Sequence, residues 1–221
     1  MSAIDDKYAS LGGSNSFLGL PAGPETVSKA NKSWTFRDYQ HGSIYYFANS
    51  STGAHEIHGA IAQKYYALGR ETSFLGFTQS DETLLFDGFG RVNFFDGGSI
   101  YWRQATGPFE VHGAINGRYQ ALGGPESFLG YPLSDETDTS DKTGRWNQFE
   151  HGVIFWKGGS IGAHEVHGAI LDKWKSLGLQ AGSLGYPLTN EMPVAHPAGG
   201  RQNRFEHGTI LWNSSGGAKV I

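Results

Sequence analysis

Three stretches of the chain place arginine, asparagine and phenylalanine at alternate positions: Arg91, Asn93 and Phe95; Arg145, Asn147 and Phe149; Arg201, Asn203 and Phe205. Alternate side chains of an extended strand share one face. Each set therefore presents a guanidinium fork, a carboxamide and a ring together. The carboxamide offers donors and acceptors side by side and the guanidinium adds further donors, while a ring packs against an apolar surface such as the C–H face of a sugar. That combination suits the recognition of sugar hydroxyls. It also suits a structural task, in which Arg and Asn tie down neighbouring turns or pair with repeated glutamates. The sequence leaves both open. A first copy departs from the pattern, with Thr35 and Arg37 at the Arg and Asn positions.

Directly after each set comes a turn: Gln40-His41, Asp96-Gly97, Glu150-His151 and Glu206-His207. Turn tips are exposed and often carry function. His41, Glu150, His151, Glu206 and His207 are therefore candidate contact residues, with turn chemistry and solubility as the alternative. Tyr46, Trp102, Trp156 and Trp212 recur at one position and are expected to make core contacts between modules. Trp34 and Trp146 lie in the opposite strand phase and do not recur, which makes them the better candidates for a flat sugar platform.

Other chemistries fit less well. His55-Glu56-Ile57-His58 and His164-Glu165-Val166-His167 lack the His-Glu-x-x-His spacing of a helical zinc site, and Phe109 and Lys219 stand at the first His position of the other copies. No metal or other cofactor is expected. Glu25, Glu82, Glu136 and Glu191 recur symmetrically, whereas glycoside hydrolysis needs two carboxylates in different environments across one bond. These acids are expected to accept from backbone amides or from the repeated arginines. With no cysteine, no Gly-x-Ser-x-Gly elbow and no phosphate loop, no catalytic residue is assigned and a non-enzymatic protein is expected.

The elements that must position these residues follow from periodicity. Ile61, Tyr65 and Leu68 mark one face of a short helix, repeated by Ile115, Tyr119 and Leu122 and by Ile170, Trp174 and Leu177. Gly69, Gly123 and Gly178 are placed as helix stops. Arg145 to Phe149 alternates as a strand, and Val153 to Trp156 returns as its hairpin partner. His58-Gly59-Ala60-Ile61 recurs at His112 and His167, at spacings of 54 and 55 residues. The chain is thus four copies of one module: 1–53, completed by 217–221, then 54–107, 108–162 and 163–216, all read as a single domain. Joined tail to head, Gly217-Ala218-Lys219-Val220-Ile221 and Met1-Ser2-Ala3-Ile4 match the internal junction 162–170 in length and keep its Gly, both Ala and its final Ile. This cyclic pattern predicts an α+β fold: a closed, pseudo-fourfold, propeller-like ring of four helix–turn–β-hairpin repeats, in which closure removes open sheet edges.

The net charge of −4 and the lack of a basic stripe argue against nucleic acid and anionic membrane surfaces. No apolar run is long enough to span a membrane. No leader pattern opens the chain, so a cytoplasmic or non-classically secreted protein is expected, or a wall-associated one if a leader was removed.

Four tetrapeptides complete the repeat: Leu18-Gly19-Leu20-Pro21, Leu75-Gly76-Phe77-Thr78, Leu129-Gly130-Tyr131-Pro132 and Leu184-Gly185-Tyr186-Pro187. Over its whole length the chain resembles the LGFP repeat family. Members look like cell-wall-associated modules, often attached to actinobacterial wall enzymes. The resemblance implies binding of a wall polysaccharide or another glycan. The expected function is therefore a multivalent, lectin-like carbohydrate binder, with a glycoside-active hydrolase or a protein-binding scaffold as alternatives. The oligomeric state is left open between monomer and homodimer.

Overall fold

The structure is a computed structural model that describes residues 1–48 and 51–221. The chain divides into two compact units, Met1–Phe109 and Glu110–Ile221. The first unit opens on helix α1 (Ala3–Ser10), followed by β1 (Thr26–Val27), β2 (Trp34–Tyr39), β3 (Gly42–Phe47) and β4 (Ala54–His58). It continues with α2 (Gly59–Leu68), β5 (Thr83–Leu84), β6 (Arg91–Phe94) and β7 (Gly98–Arg103). Strand β8 (Gly107–His112) spans the boundary. The second unit holds α3 (Gly113–Leu122), β9 (Thr137–Asp138), β10 (Gly144–Phe149), β11 (Gly152–Lys157) and β12 (Gly162–His167). It ends with α4 (Gly168–Ser176), β13 (Met192–Pro193), β14 (Arg201–Phe205), β15 (Gly208–Asn213) and β16 (Gly217–Val220).

The expected closed, propeller-like ring of helix–turn–hairpin modules is overturned. The described residues form four separate four-stranded antiparallel sheets in plain sequential order, β1 to β4, β5 to β8, β9 to β12 and β13 to β16, and none of them closes. The fold is mostly sheet. The predicted hairpins are present as the two inner strands of each sheet, with Arg145 opposite Trp156 and Asn147 opposite Ile154. The outer strands are what the periodicity missed. The first strand of each sheet has only two residues, both exposed, which is too short to show a period of two. The last strand carries the residues that lead into the next helix, and in the fourth sheet β16 pairs with β15.

The helices form where the 3.6-residue pattern places them. Helix α2 buries Ile61, Ala62 and Tyr65, and α4 buries Ile170, Leu171 and Trp174. Gly69 and Gly123 cap α2 and α3 in the left-handed conformation, whereas α4 is capped one residue earlier, at Leu177, with left-handed Gly178 following. Each large core draws on two consecutive repeats. In the first unit, Tyr45 and Ile57 of one sheet and Phe95 and Ile100 of the next pack around the α2 face. In the second, Val153, Phe155, Phe205 and Ile210 do the same around α4. Full burial of such a side chain contributes about 1.5–3 kcal/mol, so repeats packed in this way stabilise one another. No helix among the described residues is long and apolar enough to cross a membrane.

Candidate functional site

The Leu-Gly-x-Pro loop is held from two sides in every copy. From the helix, Tyr65 and Tyr119 donate their hydroxyls to the carbonyls of Gly76 and Gly130 at 2.7 and 2.6 Å, and the Trp174 indole donates to Gly185 at 3.2 Å. From the hairpin turn, Asp96 accepts from the Phe77 amide, Glu150 from Tyr131 and Glu206 from Tyr186, each at 2.9 Å. The turn acids Glu150 and Glu206, expected to be available to a partner, are therefore engaged with the loop. His41, His151 and His207 are exposed as expected. His41 and His151 each border a cavity of about 320 Å³ beside the following helix.

The Arg-x-Asn-x-Phe sets separate into different roles. Asn93, Asn147 and Asn203 are wholly buried. Asn93 donates its amide to the carbonyls of Glu56 and Ser80 at 3.1 and 3.0 Å. Asn147 makes the same pair of bonds to Glu110 and Ser134, and Asn203 to Glu165 and Thr189. This corrects their place among ligand-contacting residues: each pins the strand before a helix to the loop after it. A strand pattern shows which side chains share a face, but not that the preceding repeat covers part of that face.

The arginines remain accessible and meet a network that the sequence reading did not assemble. Glu56, on the last strand of the first sheet, accepts from the amide of Glu82 at 3.0 Å and contacts His58 Nδ1 at 2.8 Å. His58 Nε2 lies 3.4 Å from Glu82, which lies 3.4 Å from Arg91 Nε. In the second unit the order is Glu110, His112, Glu136 and Arg145. His112 lies 2.7 Å from Glu110 and 3.2 Å from Glu136, and Arg145 lies 2.5 Å from Glu136 and 2.7 Å from Asp138. The third copy is altered: His167 reaches Glu191 at 3.1 Å and Arg201 pairs with Glu191, but Arg118 takes Glu165 at 2.6 Å. Burial raises the Glu82 carboxyl above the ordinary range, against the opposing pull of His58 and Arg91. It raises Glu136 in the same way. Burial works to lower His58, but Glu56 and Glu82 outweigh it and hold the imidazole up. Glu82, Glu136 and His58 each keep a proton to higher pH than the isolated group would.

Each arginine sits opposite a tryptophan in the hairpin register: Arg91 and Trp102, Arg145 and Trp156, Arg201 and Trp212. In the first unit, Trp102, Arg91, Glu82, His58 and the helix start Gly59-Ala60-Ile61 enclose about 290 Å³. In the second, Trp212, Arg201, Glu191, His167 and Gly168-Ala169-Ile170 enclose about 230 Å³. The exposed rings of Phe17 and Phe128 lie 4.1 and 4.3 Å from His58 and His167. Arg91 Nη1 is buried without a hydrogen-bond partner. In the first copy, Thr35 faces Tyr46 and Arg37 bonds Asp5 at 2.6 Å, so the cradle is not repeated there.

The recurring tryptophans make the core contacts expected of them, Trp102 against the first large core and Trp212 against the second. The recurring Trp102 and Trp212 are half-buried and wall cavities. Trp34 is 8% exposed and stacks on Phe77 with centroids 4.2 Å apart. Trp146 is half-buried and stacks on Phe155 at 5.3 Å. The signal that could have found the cradle was present in the hairpin register, which sets each Trp against an Arg.

Comparison with curated proteins gives no match. The LGFP repeat pattern matches residues 18–73, 75–127, 129–182 and 184–221, starting each repeat at the Leu of the tetrapeptide loop. The chain therefore belongs to the LGFP repeat family, as four tandem copies.

Proposed function

We propose that this chain is a non-enzymatic, multivalent carbohydrate-binding protein whose sites are the repeated Arg–Trp cradles. One observation carries the reading. Both units contain a cavity with the same lining: a half-buried tryptophan, an arginine, a glutamate, a histidine and the start of a helix. The indole supplies a flat apolar wall for the C–H face of a sugar. The arginine supplies donors, the glutamate acceptors and the imidazole either, according to its protonation. Cavities of 290 and 230 Å³ fall just below the usual small-molecule range of about 300–1,000 Å³, a size for one sugar residue of a glycan or wall polysaccharide. Single sites of this size bind weakly, and several on one chain gain avidity where a polymer engages them together.

The hydrolase alternative is less well supported. It needs two carboxylates facing one bond. Glu82 faces the first cradle, but Glu56 is 3% exposed and its two oxygens are taken by the Glu82 amide and His58.

The test is a glycan array followed by calorimetry with the best oligosaccharide, using the wild-type chain, Trp102→Ala, Trp212→Ala and the double variant. Each single variant should lose one class of sites and the double variant at least tenfold in apparent affinity. If no glycan gives heat at ~10 mM, well above a Kd of ~1 mM, the carbohydrate reading is refuted.

A further inference from the structure

Lys157 and Glu206 show what one recurring position of this fold can hold. The Glu206 carboxylate takes the Tyr186 amide on one oxygen at 2.9 Å and the Lys157 ammonium on the other at 2.7 Å. The same ammonium lies 4.4 Å from the centroid of the Tyr186 ring. The second unit therefore contains its own cation, held between a carboxylate and an aromatic face, an arrangement favoured by charge and by the ring quadrupole.

The first unit has a carboxylate and an aromatic ring at the same places without the cation. By the register of the hairpins, Trp34 faces Phe47 where Gly144 faces Lys157. By the tetrapeptide loops, Phe77 stands at the place of Tyr186 and Asp96 at that of Glu206. The backbone relation is kept, because Asp96 Oδ2 accepts from the Phe77 amide at 2.9 Å. The lysine, however, is replaced by Phe47, which is 38% exposed, and the glycine by Trp34. A glycine is needed at 144 because a Cβ there would lie 2.6 Å from the Tyr186 ring. In the first unit Trp34 instead lies flat on Phe77, with an interplanar angle of 5°. A cavity of about 360 Å³ remains, lined by Trp34, Phe47, Phe77, Gln79, Asp96 and His55 among others. Asp96 Oδ1 accepts from the Gln79 amide at 2.5 Å. No lysine or arginine among the described residues pairs with Asp96, and the His55 ring faces Asp81, 3.6 Å from Nδ1.

The geometry points to a binding site for a small alkylammonium ion in this cavity, its charge against Asp96 and its alkyl groups against the rings of Trp34 and Phe47. The ligand replaces from solution what Lys157 supplies within the second unit. The site uses none of the cradle residues and does not depend on the carbohydrate reading.

The experiment is a titration of the full chain with n-butylammonium, followed by calorimetry and by the indole N–H resonance of Trp34, with n-butanol as the neutral probe of similar shape. Butylammonium should bind and shift the Trp34 resonance, and butanol should bind at least tenfold more weakly. Phe47→Lys installs the internal cation, and should abolish butylammonium binding without lowering Tm. Asp96→Asn keeps an acceptor for the Phe77 amide and should weaken binding at least tenfold. Equal binding of butanol, wild-type affinity in both variants, or no binding by the wild type at ~10 mM, where a ~1 mM site is nearly full, would each overturn the inference. If Phe47→Lys does not fold, Asp96→Asn decides by itself.

Discussion

Asn147 reaches across 37 positions of sequence to donate its amide to the Glu110 carbonyl at 3.0 Å, and the same nitrogen bonds the Ser134 carbonyl at 3.1 Å. The side chain is fully buried, so no water replaces these bonds when it is removed. A buried group left without its partner costs about 1–3 kcal/mol. Asn147→Ala should therefore destabilise the second unit by about 2–4 kcal/mol and leave glycan affinity per folded molecule unchanged. Urea unfolding followed by tryptophan fluorescence checks the first part, and calorimetry on the folded fraction checks the second. A large affinity loss with little loss of stability would return Asn147 to the binding surface.

The tetrapeptide glycine is fixed by two independent causes. Gly185 has φ +69°, and a Cβ built there would lie 2.4 Å from Glu206 Oε2, the oxygen that accepts from the Tyr186 amide. Gly185→Ala should cost about 1–2 kcal/mol from the left-handed backbone alone, and more because Glu206 must withdraw. In a Glu206→Ala background the second cost is already met. The glycine substitution should then be less damaging than in the wild type, and a double-mutant cycle reads the difference as a coupling energy. Strict additivity would mean that the contact does not constrain the loop.

Much of this was legible from single residues. Alternation placed Arg145, Asn147 and Phe149 on one strand face, and the helix pattern picked out Ile61 and Tyr65. What alternation cannot show is what lies over the face. Asn147 is covered by the end of β8 and the loop before β9, while Arg145 stays at the edge. The recurring Trp102 and Trp212 do pack on the cores, as recurrence suggests, and each also walls a cavity. What recurrence does not show is the cavity beside Trp102 and Trp212, where an arginine stands across the hairpin from each. The burial of Glu56 and Glu110 was not legible, because the His-Glu-Ile-His motif raises only the question of metal spacing and nothing in it shows the loop of the next repeat that covers the acid. The cyclic pattern concerned sequence order alone and could not reveal four separate sheets.

The Glu56–His58–Glu82 triad gives the first unit a pH dependence whose sign follows from the upward shift of His58. A folded-state pKa above the unfolded value of about 6.5 means that the folded chain binds the proton more tightly. The resulting stability is fully present below about pH 6.5 and is lost as pH rises through the raised folded value. The Tm of the wild type should therefore fall as the solution is taken from mildly acidic to mildly alkaline. His58→Gln, which keeps a donor but cannot titrate, should flatten that slope. Scanning calorimetry over this range measures both, and parallel slopes for the two proteins would remove His58 from the linkage.

Arg201 and Trp212 face each other across the β14–β15 hairpin, and the two should fail differently. Arg201 is 43% exposed while its partner Glu191 is 5% exposed, so solvent screens the pair and its loss costs little, about 0–1 kcal/mol for a pair of this kind. Glu191 also keeps His167 at 3.1 Å as a second partner. Arg201→Gln should thus leave Tm within a few degrees of wild type. If the guanidinium bonds a sugar hydroxyl, the same change removes charge-assisted bonds worth about 1.5–3 kcal/mol, a loss of about tenfold or more in affinity at that cradle. Trp212→Phe keeps a ring but shrinks the wall, and should lower both affinity and stability. Calorimetry and thermal unfolding on the two variants separate the outcomes. A drop in Tm for Arg201→Gln with unchanged affinity would make the arginine a structural partner of Glu191 and leave the indole alone to carry recognition.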